Sequence, residues 1–165
     1  MNALKKQLES QVRVQYQDCD PFNHLNNSRY IDYIMAARTE QLLENYGFNS
    51  SELAKGSGIG WVAAQTQVSY IFPAVWMEKV TIETRLIAFS SASITVEAIM
   101  WNEKKTHMKA VMWAKFVHFN ITTQRSHKHS NELMRFFSEI HSPIEDNPTF
   151  EIRVKSLKQL IHLPQ

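Results

Sequence analysis

DCDPFNHLNNSRYIDYIMAARTEQLLENYG, residues 18–47, joins a run of short polar side chains to a long amphipathic segment. Residues 18–27 hold two acids around the chain's single cysteine, then Pro21, Phe22, His24 and three asparagines. After them Tyr30, Tyr33, Ile34, Ala37, Gln41 and Tyr46 recur at intervals of three, four or five, with Leu42 and Leu43 broadening the apolar side. That spacing predicts a helix with one buried face. Asn26, Asn27 and Ser28 each suit its N-terminal cap, and Gly47 suits its end. A helix of about twenty residues spans roughly 30 Å, enough to cross a sheet.

Working outward, QVRVQYQ (11–17) alternates, with Val12, Val14 and Tyr16 on one side, as a half-buried strand does. All four glycines lie between 47 and 60, which marks a flexible connection. Gly56, Gly58 and Gly60 form G-x-G-x-G, but they precede a strand instead of leading from one into a helix, so a nucleotide site is not expected. WVAAQTQVSYIF (61–72), EKVTIETRLIAF (78–89), ASITVEAIMW (92–101) and MKAVMWAKFVHF (108–119) read as four long strands, with NEKKTH as a hairpin loop before the last. The order is strand, long helix, antiparallel meander: an α+β chain. Further on, TFEIRV (149–154) alternates like a strand and SLKQLIHL (156–163) has a helical composition. The reading is one domain over residues 1–140 and an extension of uncertain structure over 141–165.

The last strand is apolar on both faces: Val111, Trp113, Val117 and Phe119 on one, Ala110, Met112, Ala114 and Phe116 on the other. One helix covers only one face. A second subunit is the expected cover for the other, with residues 126–165 as the alternative.

Composition sets further bounds. With 165 residues, 44% hydrophobic and 21% charged, the chain is globular in character and long enough for its own core. A net charge of +2, with no basic run longer than Lys104-Lys105, argues against nucleic acid. A lone cysteine excludes an internal disulfide framework, and MNALKKQLESQVRV has no signal-peptide core. No window is apolar enough to span a membrane, so a cytoplasmic location is the expectation.

The polar run sits where a helix begins. There the first N–H groups lack intrahelical partners and the macrodipole favours negative charge, so a developing oxyanion can be held. A carboxylate on the same turn can reach the atom bearing that oxygen. The same residues also have an ordinary reading as turn and cap formers, which local chemistry alone favours.

The spacing D-C-D-P-x-x-H-x-N-N-x-x-Y, here Asp18, Cys19, Asp20, Pro21, His24, Asn26, Asn27 and Tyr30, resembles the hotdog-fold acyl-CoA thioesterases of the hydroxybenzoyl-CoA thioesterase-like branch. Ala37-Arg38 matches a pair common in that family, and Tyr70, Pro73-Ala74 and Lys79-Val80-Thr81-Ile82 resemble its strand-crossing segment. The resemblance spans about residues 11–140. It implies a long helix wrapped by an antiparallel sheet of five to six strands, and hydrolysis of an acyl thioester to free acid and CoA. By position, it implies that Asp20 is the catalytic carboxylate and that the Asn27 N–H polarises the thioester oxygen. His24 and Asn26 shape the turn or bind substrate, and Asp18 gives structural support. It also implies a homodimer or homotetramer with a pocket between subunits, and no cofactor beyond the CoA carried by the substrate.

Two departures stand out. Asn23 replaces the glycine that often precedes the histidine; asparagine is the next residue best suited to a positive φ. Ser90-Ser91-Ala92 stands where some members carry basic residues for CoA phosphates, leaving Arg85, Lys104 and Lys105 as basic residues expected at solvated positions. An acyl carrier protein as leaving group, an enoyl-thioester hydratase, and an acyl-thioester-binding protein without turnover are the rivals. His118, His127 and His129 lack acids or thiols at ligand spacing, so a metal site is not expected. Cys19, between two acids, is disfavoured as a thiolate.

Overall fold

The computed structural model describes residues 3–161. β1 (Gln7–Arg13) leads through the polar turn and a 3₁₀ turn at Asn27–Arg29 into α1 (Tyr30–Tyr46). Then come α2 (Ser50–Ser57), β2 (Ile59–Tyr70), β3 (Lys79–Phe89), β4 (Ser93–Asn102), β5 (Met108–Asn120), a short β6 (Arg125–Ser126), α3 (Asn131–Ile140) and α4 (Phe150–Ile161). The strands form one antiparallel sheet in the order β1-β3-β4-β5-β2, with β6 paired to β5. The sheet packs on α1, the hotdog arrangement anticipated.

α1 buries Tyr30, Ile34, Ala37 and Gln41, the stripe expected from its spacing. They meet Val80, Ile82, Ala98, Met100, Ala110 and Met112 on the sheet face toward the helix. Gly47 ends α1 at φ 64, and its N–H donates to the carbonyls of Leu42 and Leu43.

Several expectations are corrected. The first strand begins and ends earlier than residues 11–17. Its inward positions include Leu8 and Val12, and Ser10 between them interrupts the apolar alternation. Its ladder stops at Arg13 opposite Lys79, where β3 begins; Tyr16 then opens a 3₁₀ turn and is 68% exposed. The connection at 47–60 contains α2, capped by Asn49, whose side chain accepts the Glu52 N–H at 3.2 Å. A Cβ on Gly60 would lie 2.9 Å from that of Ala54, so glycine lets α2 lie close against β2.

TFEIRV is helical, not extended. Phe150, Val154 and Leu157 share one face of α4, while Ile152, which a strand would have placed beside Phe150, is 55% exposed. The helical reading of SLKQLIHL holds through Ile161; His162 and Leu163 lie outside the described residues.

That face of α4 packs on Ile99, Met108, Val111 and Trp113. The chain's own C-terminal helix thus covers the second sheet face around Val111 and Trp113, the alternative to a second subunit there, whereas Phe119, expected on that face, lines a cavity beside α1. Glu97, 2% exposed, anchors it: Arg153 donates two hydrogen bonds of 2.9 Å to its carboxylate, joined by Arg85 and Trp113. Burial pushes the Glu97 carboxyl up, but the hydrogen bonds from Arg153, Trp113 and Arg85 outweigh it and hold it below its ordinary value. Arg85 is therefore half-buried in an ion cluster, not solvated, and Lys105 pairs with Glu9 and Glu83.

Candidate functional site

The turn between β1 and α1 is a closed backbone structure. The Asp20 N–H donates to the His24 carbonyl at 2.8 Å, the Asn23 N–H to the Asp20 carbonyl at 3.0 Å, and the Asn26 N–H to the Asp18 carbonyl at 2.9 Å. Asn23 supplies the left-handed residue at φ 61, as its side chain suggested. The turn is tied to the segment before β3: Leu25 N–H donates to the Ala74 carbonyl and Trp76 N–H to the Asn23 carbonyl, both at 2.8 Å.

Within this frame Asp20 is half-buried. Its Oδ1 accepts the N–H groups of Phe22 at 2.9 Å and His24 at 3.1 Å. Its Oδ2 accepts no hydrogen bond from the described residues. One oxygen fixes the carboxylate and the other stays available.

Asp18 is engaged differently. Its Oδ2 accepts the Tyr33 hydroxyl at 2.6 Å, and its Oδ1 lies 3.7 Å from Arg29 Nε. Burial, then the hydrogen bond to Asp18, pushes the Tyr33 hydroxyl up to about 12. Asp18 thus links the turn to α1. Burial and the charges of Asp18 and Asp20 push the Cys19 thiol up, against a nucleophilic role.

At the helix start Asn26 is the cap: its Oδ1 accepts the Ser28 N–H at 3.0 Å and the Ser28 hydroxyl at 2.8 Å. The Asn27 carbonyl accepts the Tyr70 hydroxyl at 2.8 Å. The Asn27 N–H finds no acceptor among the described residues. His24 is half-buried, joined to Asp20 through its backbone, with its ring 6.5 Å from that of Phe22. The fold therefore brings Asp20, His24, Asn26 and Asn27 into one turn.

A separate feature escaped sequence reasoning. A cavity of about 600 Å³ lies between α1, α2, α3 and the sheet, and none of those four residues lines it. α1 contributes Met35, Arg38, Thr39 and Leu42. This second stripe has helical spacing beside the core stripe and was open to detection. α3 contributes Phe136, Phe137 and Ile140. That wall was missed because α3 itself was not recognised, although Ser130 caps it and its apolar positions share one face.

The histidines expected to hold no metal form a packed group. His118 lies 4.8 Å from His129 and 4.5 Å from Trp61, ring to ring. His129 Nδ1 bonds the Ser90 carbonyl at 2.9 Å, and its Nε2 accepts Trp61 Nε1–H at 3.1 Å.

Comparisons with known proteins bear on this geometry. The family model described as the thioesterase-like superfamily matches residues 14–137. The long-chain acyl-CoA thioesterase FadM of Escherichia coli is 24% identical over 119 residues, 72% of this chain and 88% of that protein. A Staphylococcus aureus protein solved in complex with CoA superposes with a TM-score of 0.76 at 12% identity, covering 90% of this chain and 94% of that one. A 1,4-dihydroxy-2-naphthoyl-CoA thioesterase from Synechocystis gives 0.73 at 9% identity, covering 83% and 99%.

Proposed function

The chain belongs to the thioesterase-like superfamily, and from that premise we propose that it hydrolyses acyl-CoA thioesters at the turn between β1 and α1. Asp20 is the catalytic carboxylate and the Asn27 N–H polarises the thioester oxygen. The observation that carries this reading is one turn holding both a carboxylate oxygen and an N–H that find no hydrogen-bond partner among the described residues.

In this scheme the thioester oxygen accepts the Asn27 N–H at the positive end of the helix. Asp20 Oδ2 attacks the carbonyl carbon or takes a proton from the water that does so. Negative charge moves onto the oxygen already facing a fixed donor, and the C–S bond breaks as it returns. Where Asp20 itself attacked, water then cleaves the resulting acyl–Asp20 anhydride, releasing the free acid and restoring the carboxylate. The thiolate is a good leaving group, so the step needs no general acid. Asp20 Oδ1 keeps its two N–H partners throughout, which holds Oδ2 in place. His24 and Asn26 shape the turn, the latter as the cap.

The similarity to a long-chain acyl-CoA thioesterase supports CoA as the carrier and a long acyl group. CoA enters as part of the substrate, with no resident cofactor in the scheme. We place the protein in the cytoplasm as a homo-oligomer; no described helix is long and apolar enough to cross a membrane. β2 is an edge of the sheet whose residues 62–66 are exposed, and an uncovered edge strand is a template for a second copy.

Thiol release from a panel of short, medium, long and aromatic acyl-CoAs, followed by chromatography, tests the reading. Turnover of one class supports it. Turnover only of acyl carrier protein thioesters replaces the carrier, and absence of turnover on both leaves a binding protein.

A further inference from the structure

Arg38 is placed unlike the other half-buried arginines. Arg85 and Arg153 share the carboxylate of Glu97, whereas Arg38 makes no ion pair with a described residue. Its Nη1 donates to Thr84 Oγ1 at 2.9 Å. The Thr84 hydroxyl in turn donates to Gln41 Oε1, and Gln41 Nε2 donates to Ser10 Oγ at 2.9 Å and to the Ile82 carbonyl at 3.0 Å. Thr84 and Gln41 are each 1% exposed, so the guanidinium rests on a rigid neutral chain that holds it in place without neutralising it. Burial pushes Arg38 down to about 10, which leaves it charged at neutral pH.

The guanidinium lines a cavity whose other walls include Leu42, Trp61, Leu86, Phe116 and Phe136. The cavity has the size of a small-ligand site, 300–1,000 Å³ being the usual range. A cation among such walls is costly unless an anion meets it, and a plain alkyl occupant would strip its remaining water and give nothing back. A carboxylate can accept from the guanidinium fork in two parallel hydrogen bonds. Arg38 lies eleven residues beyond Asn27, three through the 3₁₀ turn and eight along α1, about 18 Å of helical rise at 2.0 and 1.5 Å per residue. That separation suits the far end of a long acyl chain whose thioester sits at Asn27.

We propose that this cavity takes the tail of a long acyl chain ending in a carboxylate, and that Arg38 binds that carboxylate. The substrate class is the CoA thioester of a long-chain dicarboxylic acid. The proposal rests on the thioesterase reading for the head of the substrate, and deepens it by assigning the tail.

The test compares kcat/KM for hexadecanedioyl-CoA, carrying one CoA, with that for hexadecanoyl-CoA, using wild type and Arg38→Met. Shorter and longer pairs bracket the length. Wild type is expected to favour the carboxylated chain by about tenfold or more at its best length. Arg38→Met abolishes or reverses the preference and retains turnover of the plain chain. A wild type indifferent to the terminal carboxylate, or preferring the plain chain at every length, overturns the proposal and leaves the thioesterase reading intact. An equal loss on both chains in Arg38→Met does the same. If that variant does not fold, the wild-type preference and Arg38→Gln decide. If no thioester is hydrolysed, calorimetric titration with dodecanoate and dodecanol separates the two claims. Tighter binding of the acid, lost in the variant, supports the carboxylate site without the enzyme; equal binding sinks it.

Discussion

Asn23 stands at φ 61 in the turn that carries Asp20, and its carbonyl also accepts the Trp76 N–H. Asparagine tolerates this left-handed backbone because its short polar side chain can bond locally, and alanine lacks that compensation, so the replacement costs up to about 1 kcal/mol. The expected result for Asn23→Ala is a lower urea midpoint together with reduced thioester turnover, because the N–H groups that hold Asp20 Oδ1 shift with the turn. Asn23→Gly keeps both, and an unchanged midpoint in the alanine variant would contradict the strained-turn account. Tyr33→Phe tests the neighbouring contact. It removes the hydroxyl from Asp18, and loss of such a partner from a partly buried carboxylate costs about 1–3 kcal/mol. Stability should fall, and turnover should survive if Asp18 is structural.

Among the elements, α4 owes its position to Glu97 as much as to its apolar face. Glu97→Gln leaves Arg85 and Arg153 without their shared anion, and breaking a buried pair in this way costs about 3–5 kcal/mol. Hydrogen exchange should show α4 amides losing protection first. The same pair gives a pH signature. Glu97 titrates below its ordinary value when folded, so its stabilisation is present above the ordinary carboxyl pKa and is lost as pH falls through the depressed one. His118 and His129 are held below the ordinary histidine value, mainly by burial, so the unfolded chain binds their protons first. Stability should therefore already decline as pH drops through about 6.5, and a denaturation midpoint flat from pH 7 to 5 would contradict this. The elements also mark what was legible. The α1 stripe and the four long strands repeat their period over many turns or pleats. The strands stand within two residues of the expected bounds, while α1 has 17 residues in place of about twenty because its first turn is 3₁₀. β1, α2 and α4 are short or mix periods: Ser10 sits among inward residues, SSELAKGS is mostly small and polar, and TFEIRV satisfies both strand and helix spacing. The polar turn was legible because its capping and positive-φ demands are local. The cavity was not, because its walls come from α1, α2, α3 and four strands, and only the fold brings them together.

For the whole molecule, α4 covers the second face around Val111 and Trp113, and the exposed edge of β2 is the surface left to meet a second subunit. Light scattering should give a mass of at least two chains. A charge on that edge, as in Ala64→Lys, should shift the protein toward the monomer; a monomeric wild type would refute the edge-pairing account. In the proposed chemistry a carboxylate held by two backbone N–H groups works with a helix amide that has no acceptor among the described residues. The most direct measurement is CoA release by wild type and Asp20→Asn on the best acyl-CoA substrate, both folded by circular dichroism and equal in mass by light scattering. The account predicts a loss of about 10²-fold or more in kcat with the amide. Comparable turnover by the two proteins would contradict it and move the chemistry away from this turn.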